Sequence, residues 1–219
     1  MPPPRDSFGL ALKALRRRLR QGVDAPGAPL PIHLIAAELR LSTTPVREAL
    51  SRLAGEELVD KSGHAYTRPK LDPPSLAELY NMRLLYIAAA LSPEARRRSR
   101  RGPWPARAPF SFSAQLADPA TAPSQVVDAL FLELVLRAND LALALAFQRT
   151  AARLAPFAPI ETRLENNPAA EALGLVAAFE TGEAKALRAA TRQYHRRRME
   201  AAATIVRLAD DRKYQPDIF

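Results

Sequence analysis

Between Ser42 and Ser51 the chain gathers hydroxyls and an arginine on one side of a helical pattern. Thr43, Thr44, Arg47 and Ser51 project opposite Val46, Ala49, Leu50 and Leu53, which recur at helical spacing and form an apolar face. Short hydroxyls can donate to phosphate oxygens. An arginine near a helix N-terminus can fork onto the two acceptors of a guanine edge in a major groove. Ser42 stands where an N-cap belongs, and its hydroxyl is expected to accept a free N–H of the first turn. Pro45 falls in that turn, where a missing N–H costs little. The chemistry on offer is recognition of a duplex rather than bond-making. An ordinary surface helix with solvated hydroxyls is the other reading of the same pattern.

The elements that would hold this face outward lie on both sides of it. Residues 7–21 read as a first helix, with Phe8, Leu12, Leu15 and Leu19 on one face and Arg16, Arg17 and Arg20 largely on the other. Gly22 follows as a C-cap, and Asp24-Ala25-Pro26-Gly27 is a turn. Residues 30–39 form a second helix with Leu34, Ile35 and Leu39 inward. The third helix runs to about Ala54. Segments 58–61 and 65–68 read as short strands around a Ser62-Gly63 turn. Three helices and a hairpin make a winged helix-turn-helix. Its wing tip carries Lys61, Gly63 and His64, where a phosphate or the adjacent minor groove would be met.

The run Ser42-Thr43-Thr44-Pro45-Val46-Arg47-Glu48-Ala49-Leu50 closely resembles the S-R-T-P-V-R-E-A-L segment of GntR-family bacterial transcription regulators, with Thr43 in place of arginine. The resemblance extends to Arg20-Gln21-Gly22, Ala25-Pro26-Gly27 and Leu58-Val59. Arg40 and Glu57 stand where the family has glycines. A non-glycine residue at positive φ costs on the order of 1 kcal/mol, so both turns are expected to be altered. The resemblance implies sequence-specific binding of double-stranded DNA through Ser42, Thr43, Thr44, Arg47, Lys61, Gly63 and His64.

The reading divides the chain into a DNA-binding domain (1–71), a linker (72–75) and a helical domain (76–219). Ser75 and Glu78 form a capping box at the start of the helical half. Helical segments follow at roughly 76–91, 93–101, 124–138, 141–155, 168–180 and 184–209. Gly102 to Pro123, with Trp104 inside, reads as a loop or a short proline-bounded helix. The fold class is mainly α. This half resembles the FCD domain of FadR-type GntR regulators, an all-helical bundle that binds effectors and dimerises. The resemblance is carried by residues 76–90 with Arg83, by Val127-Asp128-Ala129-Leu130-Phe131-Leu132, by residues 178–184 and by Gln193-Tyr194-His195. It implies a homodimer and an effector site, with Arg83, Asp128 and His195 as the polar residues facing the ligand. One recognition helix reads only a few base pairs, so the dimer is expected on a pseudo-palindromic operator. Arg83 and His195 can donate to an anionic oxygen, so a small carboxylate is the expected effector. FCD domains commonly hold a divalent metal through one aspartate and three histidines. Asp128 and His195 match two of these positions, whereas Leu132 and Ala172 offer no lone pair. No metal and no cofactor is expected, and Asp128 with His195 is expected as a hydrogen-bonded pair. Arg149 reads as a solvated or salt-bridged residue.

Composition agrees with a nucleic-acid partner. The net charge is +9, with 12 Lys/Arg against 8 Asp/Glu over residues 1–72 and 20 against 15 over the rest, so basicity does not locate the site. The basic runs 96–101 and 196–198 read as solvated helix ends. The absence of cysteine excludes a disulfide framework and thiolate metal sites, and fits a reducing cytoplasm. The N-terminus lacks an apolar signal core, and no apolar run could span a bilayer, so no membrane partner is expected. The expected function is a transcriptional repressor with a ligand-sensing bundle. A constitutive regulator with a dead pocket is the second reading. An enzyme on a helical scaffold is the third, and it lacks a Gly-rich phosphate loop or thiol nucleophile.

Overall fold

A computed structural model describes residues 6–95, 111–164 and 167–211. Helix α1 (Ser7–Gln21) begins where the Asp6 carboxylate accepts the Gly9 N–H at 2.8 Å and ends at Gly22, which turns at φ 64°. Helix α2 (Ile32–Leu39) starts two residues later than its apolar pattern, behind Pro31. Ile35 and Ala36 supply its buried face, and Leu34 points to solvent rather than inward. Helix α3 (Thr43–Gly55) buries Pro45, Val46, Ala49, Leu50 and Leu53. Ser42 occupies its N-cap position, but its hydroxyl makes no capping bond, so the expected cap contact is absent. Both substituted glycine positions keep the left-handed turn, Arg40 at φ 54° and Glu57 at φ 60°. The altered turns expected there do not occur; the chain accepts the steric penalty instead.

Strands β1 (Asp60–Ser62) and β2 (Ala65–Thr67) pair antiparallel, with Lys61 opposite Tyr66 and Ser62 opposite Ala65. Gly63 supplies the positive φ, 59°, of the tip. Tyr66 is buried, which joins the wing to the apolar cluster of Leu15, Leu30, Val46, Leu50, Leu53 and Val59.

The helical half is organised around α4 (Pro73–Ala90). Its cap is Asp72, which accepts the Ser75 N–H at 2.8 Å, and not Ser75 itself. Residues 73–75, read as linker, are the first turn of that helix, where the two prolines need no N–H partner. Next come α5 (Phe112–Leu116), α6 (Pro123–Leu136), α7 (Leu141–Leu154), a 3-10 turn (Ala155–Phe157), α8 (Ala158–Leu164), α9 (Pro168–Glu180), α10 (Ala184–Glu200) and α11 (Ala202–Asp210). The expected helix over 184–209 is broken at Ala201, and the 3-10 turn and α8 were not anticipated. One core joins Ile87 and Ala90 of α4 to Val127, Leu130, Phe131 and Leu175. A second joins Leu76, Leu79 and Tyr80 to Leu154, Phe157, Ile160 and Ile205. Most of the 96–101 basic run's expected helix and Trp104 lie outside the described residues. Among the described residues no helix is long and apolar enough to cross a membrane.

Candidate functional site

The apolar side of α3 is locked into the N-terminal core, so its other side must face out. Ser42, Thr43, Thr44, Arg47 and Ser51 are exposed. An open groove of about 420 Å³ runs between α3 and the wing, lined by His33, Thr43, Arg47, His64, Ala65 and Tyr66 among others. The structure therefore brings Thr43, Arg47 and His64 together, with Lys61 and Gly63 exposed at the adjoining tip. His33, at the start of α2, joins them unforeseen; nothing in the sequence pattern marks it. Ser51 is engaged at 3.1 Å by the Tyr66 hydroxyl. Arg52 and Arg16 are held by Glu56, whereas Arg47 has no intramolecular partner among the described residues. Arg47 is thus a cation with its donors free, which direct base readout needs.

Lys61 lies 5.7 Å from the centre of the Tyr66 ring with its charge in solvent. Such a cation suits a phosphate. Lys61→Ala is expected to weaken binding to all duplexes alike and to flatten the salt dependence by roughly one counterion unit. Affinity measured over a salt series checks this; a loss confined to one base position would refute it.

The bundle assembles a second site. Arg83, on α4 and 3% exposed, donates from Nε to His195 Nε2 at 3.1 Å and from Nη1 to Asp128 Oδ1 at 3.2 Å. The expected direct Asp128–His195 hydrogen bond is replaced by this guanidinium bridge. His195 is fully buried, and its Nδ1 lies 2.7 Å from the Thr191 carbonyl oxygen. A carbonyl can only accept, so Nδ1 carries the proton and Nε2 presents its lone pair to Arg83. Tyr80, Phe131 and Tyr194 surround the guanidinium at 5.6–5.7 Å from their ring centres. Among the described residues, the buried side-chain atoms Arg83 Nη2 and Thr191 Oγ1 find no hydrogen-bond partner. Asp128 leaves 45% of its side chain exposed, so the site reaches the surface on that side. Arg149 is exposed.

Beyond this trio lies a buried ion network. Arg198 Nε donates to Glu161 Oε2 at 2.7 Å and its Nη2 to Glu171 Oε2 at 2.9 Å; its Cζ lies 3.3 Å from the centre of the Tyr194 ring. The Tyr80 hydroxyl donates to Glu161 Oε1 at 2.5 Å. Arg198 thus departs from the solvated reading of the 196–198 run, because its position on α10 turns it into the bundle. Arg196 does stay exposed, paired with Glu200 at 3.3 Å.

The residues present do not fit a divalent metal. Ala172 is buried without a donor atom, and Leu132 packs against the core. Both ring nitrogens of His195 are engaged, and a fixed cation sits between it and Asp128. Among the described residues no cluster of three or more His, Asp or Glu side chains could hold an ion.

Burial, reinforced by the neighbouring Arg83 charge, holds the His195 pKa well below the ordinary 6.5. Above that value folded and unfolded chains are both neutral at this ring. Below it the unfolded chain gains a proton that the native site excludes, so stability is lost as pH falls. The melting temperature is expected to drop between about pH 7 and pH 5, and less steeply in His195→Gln. Identical slopes in the two proteins would contradict the assignment.

Residues 11–63 match the family described as "Bacterial regulatory proteins, gntR family". The gluconate operon transcriptional repressor of Bacillus subtilis (strain 168) is 38% identical over 71 residues, 32% of this chain and 29% of that protein. The chain thus aligns with less than a third of that relative's length. The fold extends further. The structure of E. coli McbR/YncC matches with a TM-score of 0.63 at 20% identity, over 90% of this chain and 97% of that one. A putative GntR transcriptional regulator from Rhodococcus sp. RHA1 matches at 0.59 and 20% identity, over 91% and 97%. The match to the gntR family of bacterial regulatory proteins thus falls within the N-terminal winged helix-turn-helix, and the fold of the whole, that element followed by a helical half, is similar to those of McbR/YncC and the Rhodococcus regulator.

Proposed function

We propose that the protein is a sequence-specific DNA-binding transcriptional repressor that reads a pseudo-palindromic operator as a homodimer and senses a small carboxylate through its helical half. One observation carries the DNA reading: unpartnered Arg47, Thr43 and His64 share one exposed groove beside a basic wing tip. One recognition helix reads too few base pairs to be selective in a genome, so two copies related by a two-fold axis are needed. Each copy would carry a reading head in residues 1–71 and a helical body that begins with α4 at Pro73. Selection of bound fragments from randomised duplexes tests the reading and should return an inverted repeat.

The sensing part rests on Arg83 Nη2, a charged donor buried without a partner. Leaving such a group unpaired is costly, and a ligand oxygen would relieve that cost. Asp128 and His195 flank it. A small carboxylate that acts as effector is expected to raise the melting temperature, and Arg83→Lys should abolish the rise by removing Nη2. A rise that survives in the variant would refute this role for Arg83. If a panel of carboxylates leaves the wild-type temperature unchanged, the constitutive reading stands in its place.

A further inference from the structure

The reading head does not hang free from the bundle. Glu57 follows directly on α3 and its C-cap Glu56, and it holds φ 60°, a conformation that glycine would adopt without penalty. Its Oε2 receives Arg153 Nη1 at 2.7 Å across 96 residues of sequence. Arg153 lies in the last turn of α7, and the 3-10 turn after it packs against α1. Beside the ion pair, Leu19, Leu58 and Leu71 meet Pro156 and Phe157 around a cavity of only about 40 Å³, room for about one water. A second tie joins Lys70 to Asp210 of α11 at 3.3 Å. Between the end of β2 and Pro73 the connection is five residues long.

We propose that Arg153 is a positioning residue for the recognition helix: its pairing with Glu57 fixes the angle at which the bundle presents α3. The apolar seam supplies the attraction, and the ion pair supplies the direction. An ion pair with Glu57 this exposed adds little to stability, so its effect is angular rather than energetic. The side chain explains why a non-glycine residue is useful at a left-handed position. In a two-fold dimer the angle of each head sets the half-site spacing, so Arg153 becomes a determinant of which operators are read. It also puts α7, which packs on the Arg83 helix α4, in direct contact with Glu57, two residues past the end of α3. The spacing consequence rests on the DNA-binding reading above; the positioning itself does not.

The chain has no cysteine, so Glu48→Cys on α3 and Arg149→Cys on α7, both exposed positions, allow a pair of spin labels in the full-length protein. Pulsed dipolar spectroscopy without DNA should give a narrow distance distribution. Glu57→Gly relieves the left-handed strain while deleting the carboxylate, so it should fold at least as well as the parent. It and Arg153→Ala are expected to broaden that distribution about twofold with the melting temperature held, and Arg153→Lys to keep it narrow. Unchanged widths in Glu57→Gly and Arg153→Ala would overturn the proposal. On the selected operator, inserting two base pairs rotates one half-site by roughly 70°. Wild type should lose at least about tenfold in affinity and the two variants less than about threefold. Equal losses in all three would also overturn it. Wild type that binds no duplex yet shows a narrow distribution, broadened in the variants, refutes the DNA reading and leaves the seam standing.

Discussion

Arg198→Ala is expected to destabilise the helical half by about 3–5 kcal/mol, the cost of breaking a buried ion pair by removing one partner. Arg198 is 5% exposed, and it neutralises two carboxylates at once, Glu161 and Glu171, while its guanidinium covers the Tyr194 ring. Truncation would leave Glu161, itself 6% exposed, with the Tyr80 hydroxyl as a donor and without this cation. In a chain of this size the loss corresponds to a fall in melting temperature of roughly 6–20 °C. Arg198→Met combined with Glu161→Gln and Glu171→Gln removes the charges together and should recover a large part of it, because no unpaired charge then remains buried. Thermal unfolding followed by circular dichroism measures both. A shift of under about 2 °C in Arg198→Ala would show that the network contributes little.

Arg47→Ala is the second large effect, and it falls on binding instead of stability. The side chain is exposed and unpartnered, so its removal leaves the core of Val46, Ala49, Leu50 and Leu53 untouched. A bidentate arginine–guanine contact contributes about 1–3 kcal/mol of discrimination, roughly 5- to 150-fold in affinity, and a dimer loses it in both half-sites. Operator affinity should fall by at least that factor. Binding to unrelated duplexes, which rests on phosphate contacts, should change little, and the unfolding curve should not move. A variant that binds its operator as tightly as wild type would remove Arg47 from the readout.

The N-terminal elements were legible because their signals are local. The bounds of α1 follow from its apolar spacing and Gly22, and the outward face of α3 follows from which positions are apolar. The failures have local causes too. Ser42 has a cap residue's identity and backbone, but its hydroxyl makes no cap bond. Asp72 stands just before Pro73 and Pro74 and caps α4 three residues earlier than the Ser75–Glu78 pair suggested. The segment 155–164, punctuated by Pro156 and Pro159, shows no long periodic run, and it folds as a 3-10 turn and a two-turn helix. In the bundle, resemblance placed Arg83, Asp128 and His195 together, and geometry supplied the order, with arginine in the middle. Arg198 was hidden inside a run of three arginines. Its partners Glu161 and Glu171 lie 37 and 27 residues away, and no sequence pattern links them.

In the proposed function, the groove between α3 and the wing reads a specific duplex sequence. Repeated selection from a pool of randomised DNA duplexes with the full-length protein, followed by sequencing, tests it most directly. Selection is expected to enrich an inverted repeat with a guanine at matching positions in both halves, and to lose the preference at those positions when repeated with Arg47→Ala. A wild-type pool no more structured than the starting one, or an Arg47→Ala pool with the same consensus as wild type, would contradict it.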